Sequence, residues 1–203
     1  MDKDCLDYFR TADFHSTHVT AASINEEQGL PQVAFMGRSN SGKSSLINAL
    51  LNRKALVKVS SVPGKTKTIN LFTVKEKLFL ADLPGFGFAR VSKTDRKKMF
   101  AMIYDYLHNT RQLKMVFVLC DSARALPEEE KELLSFCFLN AIQPVLVWTK
   151  TDRLKKDERL ELKKENKKTR EEFPNLNVVH ASSKSGVGIE EIKKIICHVV
   201  FQE

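Results

Sequence analysis

Six short runs of aliphatic, β-branched and aromatic residues recur along the chain, separated by stretches with a different spacing. Several runs, such as MVFVLC, are apolar at every position, which is typical of strands buried on both faces of a sheet. The predicted strands are 33–36, 71–74, 77–82, 115–121, 144–150 and 177–182.

Between these runs, apolar residues recur every three or four positions, which indicates amphipathic helices. Pro127, followed by three glutamates, predicts a helix N-terminus, because Pro lacks an N–H that the first turn would leave unpaired and acidic side chains complement the helix dipole. The alternation of strands and helices predicts an α/β fold, a mostly parallel sheet with helices on both faces. The predicted helices are 43–52, about 94–110, 127–141, 152–172 and 189–201.

The chain has 203 residues, of which 42% are hydrophobic, and this is enough for one domain with its own core. Residues 1–29 are the hardest to interpret, since an edge strand or a short helix would suit them. We predict an N-terminal extension at 1–29 and a single domain at 30–203. No apolar run approaches the roughly 18 residues of a membrane helix, so we expect no stable membrane insertion.

The segment GRSNSGKS fits the pattern G-x-x-x-x-G-K-[ST] between a predicted strand and a predicted helix. In such a loop, backbone N–H groups and the helix N-terminus surround a phosphate. Lys43 would reach the β- and γ-phosphates, and Ser44 would offer its hydroxyl to Mg²⁺. The candidate phosphate-binding residues are Gly37, Arg38, Ser39, Asn40, Ser41, Gly42, Lys43 and Ser44.

A second segment, DLPG, ends the strand run KLFLAD. The carboxylate of Asp82 could hold the Mg²⁺ shell, and the backbone N–H of Gly85 could meet a γ-phosphate. Leu83 and Pro84 complete this candidate segment. A D-x-P-G turn is common by itself, but its position after a phosphate loop makes it a specific indication of a nucleotide-binding site.

Two further segments follow predicted strands and suggest recognition of guanine. In TKTD (Thr149, Lys150, Thr151 and Asp152), the carboxylate of Asp152 would accept from N1 and N2 of guanine, a donor pair that adenine lacks. In ASSK, the backbone N–H groups of Ala181, Ser182 and Ser183 would meet the base oxygen. The carboxyl ends of strands in an open α/β sheet meet at one edge, so all four motifs should lie together.

The segment between the first two motifs, SSVPGKTKTIN, holds two candidates for a switch threonine. Thr66 would close on Mg²⁺ and the γ-phosphate in the triphosphate state, and Thr68 is the alternative. A turn that merely contains threonines is also compatible with the local pattern. The candidate contacts here are Gly64, Lys65, Thr66, Lys67 and Thr68.

Five segments together resemble the EngB (YihA/YsxC) family of ribosome-biogenesis GTPases: GRSNSGKSSLINALLNRK, VSSVPGKTKTINLF, DLPGFGFARVSK, TKTDRL and SSKSGVGIEEI. The resemblance implies a three-layer P-loop GTPase domain that binds GTP or GDP with Mg²⁺ held at Ser44 and Thr66. It also implies a role in assembling the large ribosomal subunit and in cell division and septation. The setting would be the cytoplasm of a bacterium or an organelle of bacterial descent.

Catalysis is expected to involve Lys43, Thr66, Gly85 and Asn40. Many GTPases place a water-orienting Gln directly after D-x-x-G, but here Phe86 stands there, so we predict slow intrinsic hydrolysis. For Asn40, two interpretations have equal weight. It could bind K⁺ beside the phosphates, as in similar GTPases, or it could cap the loop backbone.

The net charge of +8 suggests a polyanionic partner, and solubility alone is the alternative explanation. Basic clusters at 53–67 and 90–98 flank the predicted switches, which suits a monomer that binds rRNA of a large-subunit precursor. A septum- or membrane-associated division regulator is the alternative function.

By contrast, 150–172 mixes ten basic with seven acidic residues and predicts an exposed helix with i,i+4 pairs. The cysteine spacing shows no zinc or C-x-x-C pattern, which suggests a reduced compartment.

Overall fold

A computed structural model describes residues 3–24, 29–53, 56–57, 68–87 and 92–201. The strands are β1 Ala12–His18, β2 Gln32–Gly37, β3 Ile69–Val74, β4 Leu78–Asp82, β5 Leu113–Asp121, β6 Gln143–Thr149 and β7 Asn177–His180. The helices are α1 Lys3–Tyr8, α2 Lys43–Leu50, α3 Lys93–Asn109, α4 Glu128–Leu139, α5 Lys156–Glu172 and α6 Ile189–Phe201.

The strands form one sheet in the order β1-β3-β4-β2-β5-β6-β7. The pairs from β4 to β7 are parallel, whereas β3 pairs antiparallel with both β1 and β4. Parallel neighbours need crossover helices, and these cover the sheet on both faces. The predicted α/β fold with a mostly parallel sheet is therefore confirmed.

The N-terminal segment contains both elements that its sequence allowed. The short helix α1 is followed by β1, which pairs with β3 and forms one edge of the sheet. The boundary predicted at residue 30 stays a prediction, because β1 extends the same sheet as the rest of the chain. The start of α5 also differs from its prediction at 152, since Thr151–Arg153 forms a separate 3₁₀ turn.

Two apolar clusters lie on opposite faces of the sheet, because successive strand residues point to opposite sides. Along β2, Val33 and Phe35 belong to one cluster, while Ala34 and Met36 belong to the other. Every residue of β2 is buried, which explains why its sequence has no polar alternation. The parallel strands thus form a rigid support between two helical layers.

The four cysteines fall into two pairs with different environments. Cys120 and Cys137 are free thiols buried in the core, and burial raises their pKa values. Cys5 of α1 and Cys197 of α6 form a disulfide with 6.2 Å between their Cα atoms. This bond departs from the reduced cysteines expected from the sequence, because the spacing argument covers only cysteines close in sequence and these two are 192 residues apart.

Candidate nucleotide-binding site

The loop between β2 and α2 carries the first motif and turns within a very small space. A Cβ at Gly37 would lie 2.5 Å from the backbone oxygen of Leu119, so only glycine fits beside β5. Gly42 has a φ of 92° and Asn40 a φ of 67°, a left-handed conformation that these two residue types tolerate best. The loop then leads directly into α2 at Lys43, as phosphate binding requires.

The DLPG segment lies against this loop and is fixed to it by backbone hydrogen bonds. The Ser39 N–H donates to the Phe86 oxygen at 2.7 Å, and the Phe86 N–H donates to the Gly37 oxygen at 3.3 Å. The Phe86 side chain is fully buried, and its ring centroid lies 5.3 Å from that of Phe100. Because this ring packs in the core, it cannot contact a water molecule beside a bound phosphate.

Lys43 and Asp82, which come from the first and second motifs, form a buried ion pair through Nζ and Oδ1. Both are almost fully buried, so each charge depends on the other for compensation. A bound triphosphate would offer Lys43 a different anion, and a bound cation would offer Asp82 a different positive charge. The pair therefore marks the position where the phosphates and their metal are expected.

A second ionic cluster connects the phosphate loop to two helices. The carboxylate of Glu129, in the first turn of α4, pairs with Arg38 of the loop and with Arg96 of α3. Arg38 also donates to the backbone oxygen of Gly87 at 3.3 Å. A Cβ at Gly87 would lie 2.7 Å from Arg38 Nε, so glycine leaves room for the guanidinium. We call Arg38, Glu129 and Arg96 the arginine–glutamate cluster.

Lys150 connects the guanine-side loop to the phosphate loop. Its Nζ donates to the backbone oxygen of Asn40 at 2.5 Å and to Asp121 Oδ2 at 2.8 Å. Burial disfavours the charged form of Asp121, but hydrogen bonds from Lys150 and from the Ala123 N–H outweigh it and lower the pKa of Asp121. The Thr149 hydroxyl lies 2.5 Å from the Ser41 oxygen and completes the connection.

Asp152, the predicted base-reading carboxylate, is exposed and lies beside the fourth motif. Its Oδ1 accepts from the Ser182 hydroxyl at 2.6 Å, and this hydrogen bond lowers the pKa of Asp152. The Thr151 N–H donates to the Ala181 oxygen at 3.3 Å, so the third and fourth motifs form one unit. An ionised carboxylate at this position suits the two N–H donors of guanine.

Behind these two motifs lies a chain of partly buried side-chain hydrogen bonds. Trp148 and His180 stand one residue before the third and fourth motifs, respectively. Asn166 of α5 accepts from Trp148 Nε1 at 2.5 Å and donates to His180 Nε2 at 2.8 Å. Burial lowers the pKa of His180, which keeps its ring neutral so that Nε2 can accept.

Most of the predicted site residues come together at this edge of the sheet, including all candidates from 37–44, 82–85, 149–152 and 181–183. Thr68 lies just before β3 and is half-buried. Gly64, Lys65, Thr66 and Lys67 lie outside the described residues, so the choice between Thr66 and Thr68 stays open. Sequence reasoning missed Glu129, Arg96, Asp121, Asn166 and His180, because no local motif marks a side-chain contact between elements far apart in sequence.

Glu130 is a further residue that the sequence did not single out. It is completely buried in the first turn of α4, and neither of its carboxylate oxygens has a hydrogen-bond partner among the described residues. Burial raises the pKa of Glu130 to about 7, with Arg38 and Arg124 opposing the rise. This buried carboxyl lies next in sequence to Glu129 of the arginine–glutamate cluster.

The fold and the site define a P-loop GTPase domain: a phosphate loop, a D-x-x-G segment and two guanine-side motifs meet at the carboxyl edge of one sheet. A family model described as "50S ribosome-binding GTPase" matches residues 32–150. The probable GTP-binding protein EngB of Leptospira biflexa is 41% identical over 179 residues, covering 86% of this chain and 84% of its own. EngB of Lacticaseibacillus casei is 38% identical over 184 residues, covering 89% and 93%, respectively.

Solved structures agree on the fold. A probable GTP-binding protein engB superposes with a TM-score of 0.69 at 23% identity, covering 85% of this chain and 100% of its own. Era in complex with MgGDPNP and part of 16S rRNA has a TM-score of 0.64 at 18% identity, covering 86% and 58%. The chain belongs to the EngB family of GTP-binding proteins, and its domain is a GTPase that binds guanine nucleotide.

Proposed function

We propose that this protein is a GTP-controlled switch in assembly of the large ribosomal subunit. The proposal rests on the four guanine-nucleotide motifs that meet at one sheet edge in a chain whose residues 32–150 match the 50S ribosome-binding GTPase model. Triphosphate contacts would order the segments around Thr66 and Gly85, and hydrolysis would release them. The ordered form would bind a precursor particle, and the released form would leave it.

Mg²⁺ is the metal that this fold family implies, and the donor atoms present suit it. The Ser44 hydroxyl at the start of α2 and the Asp82 carboxylate at the end of β4 are oxygen donors of the kind that Mg²⁺ prefers. When bound, the ion would neutralise charge on the phosphates. The third candidate, Thr66, lies outside the described residues, and we propose it as a ligand of the triphosphate state.

The Phe86 side chain has no group that can hydrogen-bond to the attacking water, so we propose slow intrinsic hydrolysis. Asn40 could contribute through K⁺, but its φ of 67° is a second reason for an asparagine there. Single-turnover hydrolysis in K⁺ and Na⁺ buffers distinguishes these roles. A rate advantage in K⁺ that Asn40→Ala removes would support the ion, and equal rates in both buffers would exclude it.

The basic residues near the switches are only partly described. Most of the cluster at 53–67 lies outside the described residues. At the start of α3, Lys93, Lys97 and Lys98 are exposed, while Arg96 pairs with Glu129. These three lysines leave a positive surface beside the D-x-x-G segment, which supports a nucleotide-sensitive contact with rRNA or ribosomal proteins.

The test is co-sedimentation with large-subunit precursors in the presence of GDP or a non-hydrolysable GTP analogue. We expect association in the analogue that is at least severalfold greater than in GDP. Equal association in both nucleotides, or none, would contradict the proposal. Retention on division-site membranes without any ribosomal association would favour the alternative, a division regulator. Among the described residues, no helix is both long and apolar enough to cross a bilayer.

A further inference from the structure

Helix α5 places five of its seven basic residues on one face, although its sequence mixes basic and acidic residues closely. At 3.6 residues per turn, Lys156, Arg159, Lys163, Lys167 and Arg170 fall within an arc of roughly 80°. We call these five residues the α5 basic face. All five side chains are exposed. No acidic residue of α5 falls inside this arc. The predicted i,i+4 ion pairs therefore do not account for all of the basic residues on this helix.

The acidic residues of α5 face another direction, and several have partners within the protein. Glu165 accepts from the Leu126 N–H at 2.9 Å, and Glu172 pairs with Lys131 of α4 at 2.7 Å. These two carboxylates therefore bind partners in the segment around α4 and do not neutralise the basic face. Within the described chain, the nearest carboxylate to Lys167 is that of Glu171, at 4.0 Å and exposed to solvent.

Part of the basic face borders a cleft. A cleft of about 480 Å³ has Arg159 and Lys163 among its lining residues and extends to Asp152 and His180. From this cleft, Lys163, Lys167 and Arg170 continue along a surface that α5 alone forms with Asn166 and Glu171.

The dimensions suit an extended polyanion. The five residues span 14 positions, or about 21 Å, in steps of three or four residues that correspond to about 4.5–6 Å each. Such steps are comparable to the distance between successive phosphates of a single strand. Leu160 is the one large apolar side chain exposed on α5, whose residues are all described, so the helix lacks the apolar face that membrane binding uses.

We propose that the α5 basic face binds the phosphate backbone of single-stranded RNA. This inference rests on the proposed function only for the identity of that RNA as ribosomal. The site lies outside the four motifs and the candidate switch segment in sequence, although its bordering cleft reaches Asp152 of the third motif. It would therefore supply contacts that persist in both nucleotide states, while the switch surface supplies the contacts that change.

The experiment compares two matched pairs of substitutions on the same helix. Lys163→Gln with Lys167→Gln removes two charges from the basic face, and Lys164→Gln with Lys168→Gln removes two from outside it. Each pair also breaks one exposed ion pair, Lys167 with Glu171 or Lys164 with Glu161. Binding of a fluorescein-labelled 12-nucleotide oligouridylate is followed by anisotropy between 50 and 200 mM KCl.

We expect the basic-face pair to weaken RNA binding by about tenfold and to reduce the magnitude of the log–log salt slope by about 1.4, since each phosphate contact contributes roughly 0.7 for a single strand. The control pair should change the affinity less than twofold. Equal losses in both pairs, or no loss in either, would overturn the inference. Loss of binding to phosphatidylglycerol vesicles with unchanged RNA binding would also overturn it. Thermal melts establish that both variants fold.

Co-sedimentation of the same variants separates this inference from the proposed function. If wild-type protein shows no nucleotide-dependent precursor association but the basic-face pair still loses RNA affinity, the proposed function fails and the inference stands. If the association depends on GTP while both pairs bind RNA like the wild type, the inference fails and the proposed function stands.

Discussion

Behind the base-reading motifs, segments are joined by hydrogen bonds between neutral side chains, whereas at the phosphate end elements are joined by ion pairs. The ion pair of Lys150 with Asp121 lies between the two ends and connects the third motif to β5. Asn166 links the residues that precede the two base-reading motifs. At the other end, Lys43 pairs with Asp82, and Glu129 connects the phosphate loop to α3. Neutral hydrogen bonds can persist when a ligand binds, but ion pairs must readjust when phosphates and a metal arrive.

The difference suggests separate tasks for the two ends. The base end should recognise GDP and GTP equally, since both carry guanine. The phosphate end should distinguish them, because only GTP brings a γ-phosphate to the segment that contains Gly85. Substitutions at each end should therefore produce different patterns of nucleotide affinity.

Asp152→Asn should produce the largest effect. The carboxylate would accept two hydrogen bonds from guanine, and hydrogen bonds to a charged group contribute about 1.5–3 kcal/mol each, so affinity for GDP should fall roughly 100-fold or more. Xanthosine diphosphate, which has an oxygen in place of the 2-amino group, should gain affinity because the amide can donate to it. Titration of fluorescent analogues of both nucleotides measures this.

Asp157→Asn is the matched control for that substitution, because Asp157 is an exposed carboxylate in the first turn of α5. It should leave both affinities unchanged. If the two variants lost GDP affinity equally, recognition of guanine by Asp152 would be wrong.

Glu129→Gln should change the ratio of affinities. Loss of one charge weakens the arginine–glutamate cluster, so the D-x-x-G segment should be less well held beside the phosphate loop. We expect affinity for a GTP analogue to fall about fivefold to tenfold, or roughly 1–1.4 kcal/mol, with GDP affinity nearly unchanged. Glu128→Gln, at the neighbouring exposed position, should change neither value.

Asn166→Leu should weaken GDP and the GTP analogue by the same factor. It removes two hydrogen bonds that contribute about 1 kcal/mol each. Because only part of this free energy stabilises the base-reading loops, we expect both nucleotide affinities to fall about threefold to tenfold. Calorimetric titration with both nucleotides measures the factor. An effect on one nucleotide only would show that α5 does not act through the guanine end.

The pH dependence gives Asn166 a readout that packing alone would not change. Burial lowers the pKa of His180, so the neutral ring is favoured in the folded state. The contribution of this ring to folded-state stability is lost as the pH falls from 6.5 through the folded-state pKa. Wild-type GDP affinity should decline over that range. Asn166→Asp should reverse the trend, because a carboxylate accepts from the Nε2–H of protonated His180 but repels the Nε2 lone pair of the neutral ring.

Glu130→Gln should have the smallest effect, an increase in melting temperature of a few degrees above pH 7. Burial raises the pKa of Glu130 to about 7, so the folded state loses stability as the pH rises from about 4.5, where the unfolded carboxyl ionises, through that value. The glutamine variant avoids this penalty, and below pH 5 the two proteins should melt alike. A variant that melted lower at every pH would show that the carboxylate stabilises α4.

Much of this architecture was predictable from sequence, because strands buried on both faces leave unbroken apolar runs and phosphate loops need glycines at fixed positions. Gly37 illustrates the point, since its Cβ would collide with β5. Residues such as Glu129 and Asn166 could not be predicted, because a lone polar residue on a helix has no local pattern that tells whether it meets solvent or a distant loop. For α5, residue spacing alone places the basic residues on one face, but the contacts of Glu165 and Glu172 with the segment around α4 depend on tertiary packing.

The most direct test of the account is the ratio of GTP-analogue to GDP affinity in wild-type, Glu129→Gln and Asn166→Leu proteins, measured with Mg²⁺ in one buffer. We predict that Glu129→Gln shifts this ratio by about fivefold or more, while Asn166→Leu leaves it within twofold but lowers both affinities. An unchanged ratio in Glu129→Gln together with a shifted ratio in Asn166→Leu would contradict the division between a fixed base end and a responsive phosphate end.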